Sequence, residues 1–277
     1  MASGAFTEVA DRVYVLRRAR LDVNSTLIVG ADHAVVVDTG STPAEATALV
    51  EAARRITGLP WSVVNTHHHF DHCFGNRIVA GDPPAEVWAH PEVARLLHRP
   101  VEVTRDEAYR EMVDDDPQLA AQLRHAVVRP PDRTVARTAP LDLGERVVEL
   151  WHPGRGHTAG DLVVHVPDAD VLVAGDLVEE GAAPSFDDSY PLEWPDTLVA
   201  VLRRLGPSSV VVPGHGACVG VNFVRAQHTD LVALEWLIRQ GHADGTPVER
   251  AAARAPYGLP GAAVAVARGY AELANRT

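Results

Sequence analysis

Asn65–Asn76 reads NTHHHFDHCFGN, with three consecutive histidines, an aspartate and a fourth histidine within six residues. Imidazoles and a carboxylate at this spacing are metal-ligand chemistry. By composition alone, H-x-H-x-D-H should arise in roughly a few per thousand chains of this length. Along extended chain, side chains alternate in direction, so His67 and His69 share one side and His68 points the other way. Two imidazoles so placed can hold one cation. Asp71 and His72 follow after Phe70, at the expected start of a helix, offset from the first pair and suited to a second cation nearby.

Other strands run out into the same kinds of group. VVVDTG ends on Asp38, VLVAGD on Asp176 and VVVPGH on His215, while GRGHTAGD carries His157 in a glycine-flanked loop. Acids and imidazoles at the carboxyl ends of buried strands are where α/β proteins gather a site. Wet strand ends explain one or two such residues, but not so many metal-binding ones.

The elements that must position these groups are legible. Strands are expected at 12–16, 26–29, 34–37, 61–65, 86–89, 146–151, 162–166, 171–174 and 209–212. Thr42-Pro43-Ala44-Glu45 is a capping box, opening a helix with the stripe Ala46, Leu49, Val50, Ala53 and Ile56 and ending at Gly58. Further helices are expected from about Pro195, over 221–240, and as two pieces in 247–276. Residues 91–131 carry no strand signal and read as a polar helical insertion over one end of a single domain spanning 1–277, whose C-terminal helical segment is about 221–277. Strands then helices, twice over, imply two sheets between helical layers.

Composition narrows the function. The 277 residues are 46% hydrophobic, enough for a packed core, and the net charge is −12, which argues against a broad nucleic-acid surface. No lysine occurs anywhere, excluding Schiff-base chemistry and the phosphate-loop lysine. Cys73 and Cys218 make no disulfide framework, and each is expected to be a small buried apolar residue. The first residues lack an apolar signal core and no stretch has the length of a membrane span, so the expectation is a soluble, cytoplasmic protein with no membrane partner.

These five ordered motifs, from Asp38 to about Gly216, resemble the metallo-β-lactamase fold superfamily. The resemblance implies an α/β fold, an αββα four-layer sandwich, and a binuclear centre. His67, His69 and His157 would hold the first metal; Asp71, His72 and His215 the second; Asp176 would bridge them. It implies two Zn2+, with iron or manganese as alternatives, a bridging hydroxide as nucleophile, Asp71 as the catalytic residue that orients it and moves its proton, and Asp38 and Thr158 as supports for ligands and loops. The substrate would be a small molecule with an ester, thioester, lactone or related bond.

The best-known zinc β-lactamases carry cysteine or serine where this chain has Asp176, which points away from β-lactam hydrolysis and toward the thioesterase, lactonase and phosphodiesterase branches. Glutathione thioesterases of the glyoxalase II type use basic residues in a C-terminal helical region; here that region has Arg250, Arg254, Arg268 and Arg276 in no matching pattern. A persulfide dioxygenase reading stays open, with one iron on the equivalents of His67, His157 and Asp176, although such enzymes do not need the second ligand set. A purely structural metal site normally closes with four protein ligands. The loop Glu179–Pro195 follows Asp176, and Phe186, Tyr190 and Trp194 are its candidate pocket residues. Arg155 could meet an anionic substrate or pair with an acid, and His68 is expected to pack in a second sheet. Neither the substrate nor the oligomeric state is legible.

Overall fold

In the computed structural model, which describes residues 4–275, the valine-rich runs form two sheets. The first is hydrogen-bonded in chain order: β1 (Thr7–Ala10), β2 (Val13–Arg17), β3 (Asn24–Val29), β4 (Ala34–Val37), β5 (Trp61–Val64), β6 (Val87–Ala89) and β7 (Arg133–Thr134). The second comprises β8 (Thr138–Asp142), β9 (Val147–Trp151), β10 (Val163–Val166), β11 (Val171–Gly175), β12 (Val210–Pro213) and β13 (Val219–Gly220), in the spatial order β13-β12-β11-β10-β9-β8.

Ten α-helices are described: α1 (Pro43–Arg54), α2 (Phe70–Cys73), α3 (Asn76–Ala80), α4 (Pro91–Leu97), α5 (Val101–Met112), α6 (Pro117–Leu123), α7 (Trp194–Leu202), α8 (Val221–Ala243), α9 (Val248–Ala252) and α10 (Gly261–Ala274).

Alternation along the strands builds the layers. Val35 and Val37 of β4 face the other sheet and join Leu150, Val164 and Val173 in the central core. Ala34 and Val36 of the same strand face outward and pack under Ala46, Leu49 and Ala53 of α1. On the far side, Leu172, Ala174 and Val211 meet Leu198 of α7, Leu234 of α8 and Ala265 of α10. The order is helix, sheet, sheet, helix, as the family resemblance implied. A strand covered on both faces must be apolar at successive positions, which is why VVVD and VLVAGD read as unbroken apolar runs.

All nine expected strands form. Four short ones were not legible: β1, β7, β8 and β13. Each is at a sheet edge or next to one, is partly exposed, and in β8 carries Pro140, so apolar alternation is weak there. The α1 helix ends at Arg54 rather than at Gly58, and Ile56, past its end, is 37% exposed. Ala52 takes the place expected for it on the buried stripe. Residues 91–131 fold as α4, α5 and α6 around Phe70, Cys73 and Phe74, so the insertion has its own apolar core beside the motif.

Leu150 and Val147 on β9 provide a matched test. Leu150→Ala, between the sheets, should cost about 2–5 kcal/mol, whereas Val147→Ala, at 49% exposure, should cost under about 0.5 kcal/mol in urea unfolding.

Candidate metal centre

Strands β4, β5, β11 and β12 end at one edge of the sandwich, and the motif residues converge there. β4 pairs with β5 and β11 with β12, both in parallel, so their carboxyl ends lie side by side. The chain leaves β5 at Val64, earlier than expected, and His67–His69 occupy a bend rather than strand. His67 and His69 nevertheless converge, with ring centroids 4.7 Å apart.

Three groups of potential ligands result among the described residues, one of them His68, His69 and Asp188 at the rim, and two drawn from the motif residues. Of these two, His67, His69, His157 and Asp176 form one, and Asp71, His72 and His215 the other; within each, one ligand atom per residue lies within 4.8 Å of the rest. Asp176 reaches both. Its Oδ2 is 3.6 Å from His67 Nε2, 3.5 Å from His157 Nε2 and 3.2 Å from His215 Nε2, and its Oδ1 is 3.2 Å from His72 Nε2. Asp71 Oδ2 lies 3.4 Å from His215 Nε2 and 3.6 Å from His72 Nε2. The seven motif residues named in the sequence are therefore brought together.

The remaining ring nitrogens are committed, which decides which nitrogen faces inward. His72 Nδ1–H donates to Asp38 Oδ2 at 2.8 Å, and His215 Nδ1–H donates to the Leu21 carbonyl at 2.6 Å. Thr66 gives its hydroxyl proton to Asp38 Oδ2 at 2.8 Å, leaving its oxygen to accept from His67 Nδ1–H at 3.0 Å. Thr66 N–H also donates to Asp38 Oδ1 at 2.8 Å, so Asp38 holds both the histidine bend and His72. Asp38 does so from a left-handed backbone conformation, φ +60°, at the end of β4.

What remains fits cations. His67 Nε2 and Asp176 Oδ1 are buried with no hydrogen-bond partner. His157 Nε2 and His69 Nδ1 face each other at 3.0 Å. Converging lone pairs repel unless a proton or a metal ion lies among them, and imidazole with carboxylate is a zinc-type donor set.

The charge state follows from burial and neighbours. Burial drives His67 well below its usual range and His157 to about 4. Burial would lower His72 and His215 too, but nearby carboxylates, Asp176 foremost, lift them to about 9 and about 11. His69 is lifted against burial to about 10 by Asp188. Burial beside Asp176 pushes Glu179 up to about 8.

Thr158 acts on its loop rather than on a ring. Its N–H and hydroxyl both donate to buried Asp161, closing the turn that carries His157. Asp161 was not singled out in the sequence, nor was the Asn65–Asn76 pair. Asn65 donates to the His72 carbonyl at 3.2 Å and to Asn76 Oδ1 at 2.9 Å. Both asparagines lie inside the opening motif, where they pass for ordinary polar neighbours.

The loop after β11 is corrected in part. Phe186 and Trp194 are fully buried, their rings 5.6 Å apart, and Trp194 donates to the Leu177 carbonyl. They anchor the loop from beneath because aromatic rings bury more area there than at its rim. Only Tyr190 lines a cavity, a space of ≈ 700 Å³ walled also by the insertion. Arg155 pairs with Glu193 and lies over the Tyr190 ring, 4.2 Å from its centroid. His68 does not pack in a sheet; it is half-buried beside Asp188, a residue with no motif signal. Cys73 is buried as expected, but Cys218 is exposed, at a turn that leaves β12.

With this geometry in place, comparison with known proteins is informative. The model of the Metallo-beta-lactamase superfamily matches residues 18–215. The chain belongs to that superfamily. A type 2 metallo-beta-lactamase of Bacillus cereus is 38% identical over 79 residues, 27% of this chain and 31% of that protein. The chain thus aligns with only about a third of the length of such relatives. An uncharacterized protein of Mycobacterium leprae is 29% identical over 190 residues, covering 66% of this chain and 80% of that one. Among solved structures, a metallo-beta-lactamase from Pontibacter korlensis superposes with a TM-score of 0.65 at 21% identity, over 82% of this chain and 98% of that chain. The enzyme FIM-1 from Pseudomonas aeruginosa, in a mono-zinc form, gives 0.62 at 18%, over 84% and 96%. These structures share the fold. No helix among the described residues is long and apolar enough to cross a membrane.

The charge assignment has a pH signature. A histidine whose folded pKa exceeds its unfolded value of about 6.5 stabilises the fold below that value, and the contribution fades as pH rises through the folded pKa. With His72 at about 9 and His69 at about 10, chelator-treated protein should lose melting temperature steadily from about pH 6.5 upward. A melting temperature that stays flat to about pH 9 contradicts the assignment.

Proposed function

We propose that the chain is a metal-dependent hydrolase with two zinc ions, one held by His67, His69 and His157, the other by Asp71, His72 and His215, with Asp176 shared between them. One observation carries this reading: a single buried carboxylate whose two oxygens face histidines of both groups at 3.2 to 3.6 Å. Three imidazoles or two with a carboxylate, plus a shared oxygen, leave positions for water and substrate, the open pattern of catalytic rather than structural zinc. Ions bound there would supply an acidified water and polarise the bond under attack.

The chain's own groups divide the remaining work. Asp38 keeps His72 in the tautomer whose Nε2 faces inward, and the Leu21 carbonyl does the same for His215. Asp71 Oδ2 stands at the open side and is the base that orients water and takes its proton. Phe70 and Met112 wall one side of the cavity of ≈ 320 Å³ above the cluster and limit the water that enters.

The substrate reading rests on that cavity. It is lined by Asp22, Glu111, Glu179 and Glu180 and by no arginine. No guanidinium lines it to pair with a substrate carboxylate next to the scissile bond, as in β-lactams, while burial pushes Glu179 up to about 8 and Glu111 up to about 7, toward their neutral forms. A neutral ester, thioester or lactone needs no such partner, and the bulk of a longer substrate has the ≈ 700 Å³ space beside it.

Elemental analysis of protein purified without chelators and without a histidine tag should give two zinc ions per chain. The loaded protein should hydrolyse neutral esters, thioesters or lactones, and Asp71→Asn should lower kcat by about 10²–10⁴-fold. About one iron with little zinc, or two zinc ions with no hydrolysis across the panel, contradicts the proposal.

A further inference from the structure

One contact of the cluster is anchored from a part of the chain beyond the region matched to the superfamily. Asp188 sits in the loop after β11. Its Oδ1 lies 3.2 Å from His69 Nε2 and its Oδ2 3.2 Å from His68 Nε2. One carboxylate thus spans two neighbouring rings. His69 uses its other nitrogen, Nδ1, to face His157. A carboxylate that accepts the Nε2–H of an imidazole keeps the lone pair on Nδ1 and stops the ring from turning.

Asp188 is in turn held from the C-terminal helix. Arg268 of α10 donates Nε–H to the Ser189 carbonyl at 2.7 Å and Nη1–H to the Asp187 carbonyl at 2.6 Å. These are the residues on either side of Asp188. From within the loop, Ser189 is buried and its hydroxyl donates to the Phe186 carbonyl at 3.1 Å. Phe186 is pinned against Trp194 and Tyr257. The carboxylate therefore stands on a turn fixed at both flanks, and one planar guanidinium makes both of the clamping contacts. Arg268 lies beyond residue 215, where the superfamily match ends.

We propose that Asp188 positions His69 for metal binding, and that Arg268 acts through the Asp188 turn to set the affinity of the ion held by His67, His69 and His157. This rests on the reading of that group as a metal site. A plain staple between α10 and the loop would predict lost stability and unchanged affinity.

The test is a double-mutant cycle on the full chain, with zinc affinity read by competition against a chromophoric chelator. Asp188→Ala should weaken one zinc ion by about 10–100-fold and leave the other nearly unchanged. Arg268→Ala should weaken the same ion by a smaller factor, about three- to tenfold. The double variant should bind no more weakly than Asp188→Ala, because Arg268 acts only through Asp188. With cobalt in place of zinc, the visible d–d bands should change in both single variants. Affinity within twofold of wild type in Asp188→Ala, or an Arg268→Ala variant that melts lower with affinity and cobalt bands intact, overturns the proposal. So do losses that multiply in the double variant. Wild-type protein that binds no zinc would instead overturn the metal-site reading beneath it.

Discussion

A buried carboxylate facing four imidazoles is the constraint around which this end of the fold is built. Burial alone would make Asp176 hard to ionise, yet His72 and His215 hold it well below the usual carboxylate range. Such a charge can be kept in the interior only if its partners arrive from every side. They come from four places: the bend after β5, α2, the loop before β10 and the end of β12. The backbone gives way to make room. A Cβ on Gly214 would fall 1.7 Å from Asp176 Oδ1, and Gly175 takes φ +55° against the Thr66 side chain. Nothing larger than glycine fits at Gly214 beside that carboxylate, nor at Gly175 against Thr66.

The rings of the site divide by charge state. His69, His72 and His215 are each raised by carboxylates, while His67 and His157 are held neutral by burial. Divalent cations bound there would take the place of those protons. The site is thus shaped for ions even though its side chains find local compromises in their absence.

Much of this was legible in the sequence. The strand ends at Asp38, Asp176 and His215 were visible because an apolar run stopping at a ligand-type residue is a local pattern. The seven converging residues follow from that pattern and from the family resemblance. What was not legible depends on distance along the chain. Asp188 reaches His69 across 119 residues, with no spacing to announce it. Phe186 and Trp194 look like pocket aromatics in a polar loop, but burial against α8 and α10 decides their place, and that packing is set by helices read only coarsely. Edge strands escaped because partial exposure blurs the alternation that marks a strand. Cys218 looked like its buried counterpart Cys73 because residue type alone carries no burial information.

The central claim is that Asp176 joins two ions in one centre. X-ray absorption at the zinc edge, on protein loaded with two equivalents of zinc, tests it most directly. A zinc–zinc scattering shell at about 3.5–4 Å, absent in Asp176→Ala, is the predicted result. A spectrum with imidazole scattering but no metal–metal shell would contradict the shared carboxylate and the binuclear reading with it.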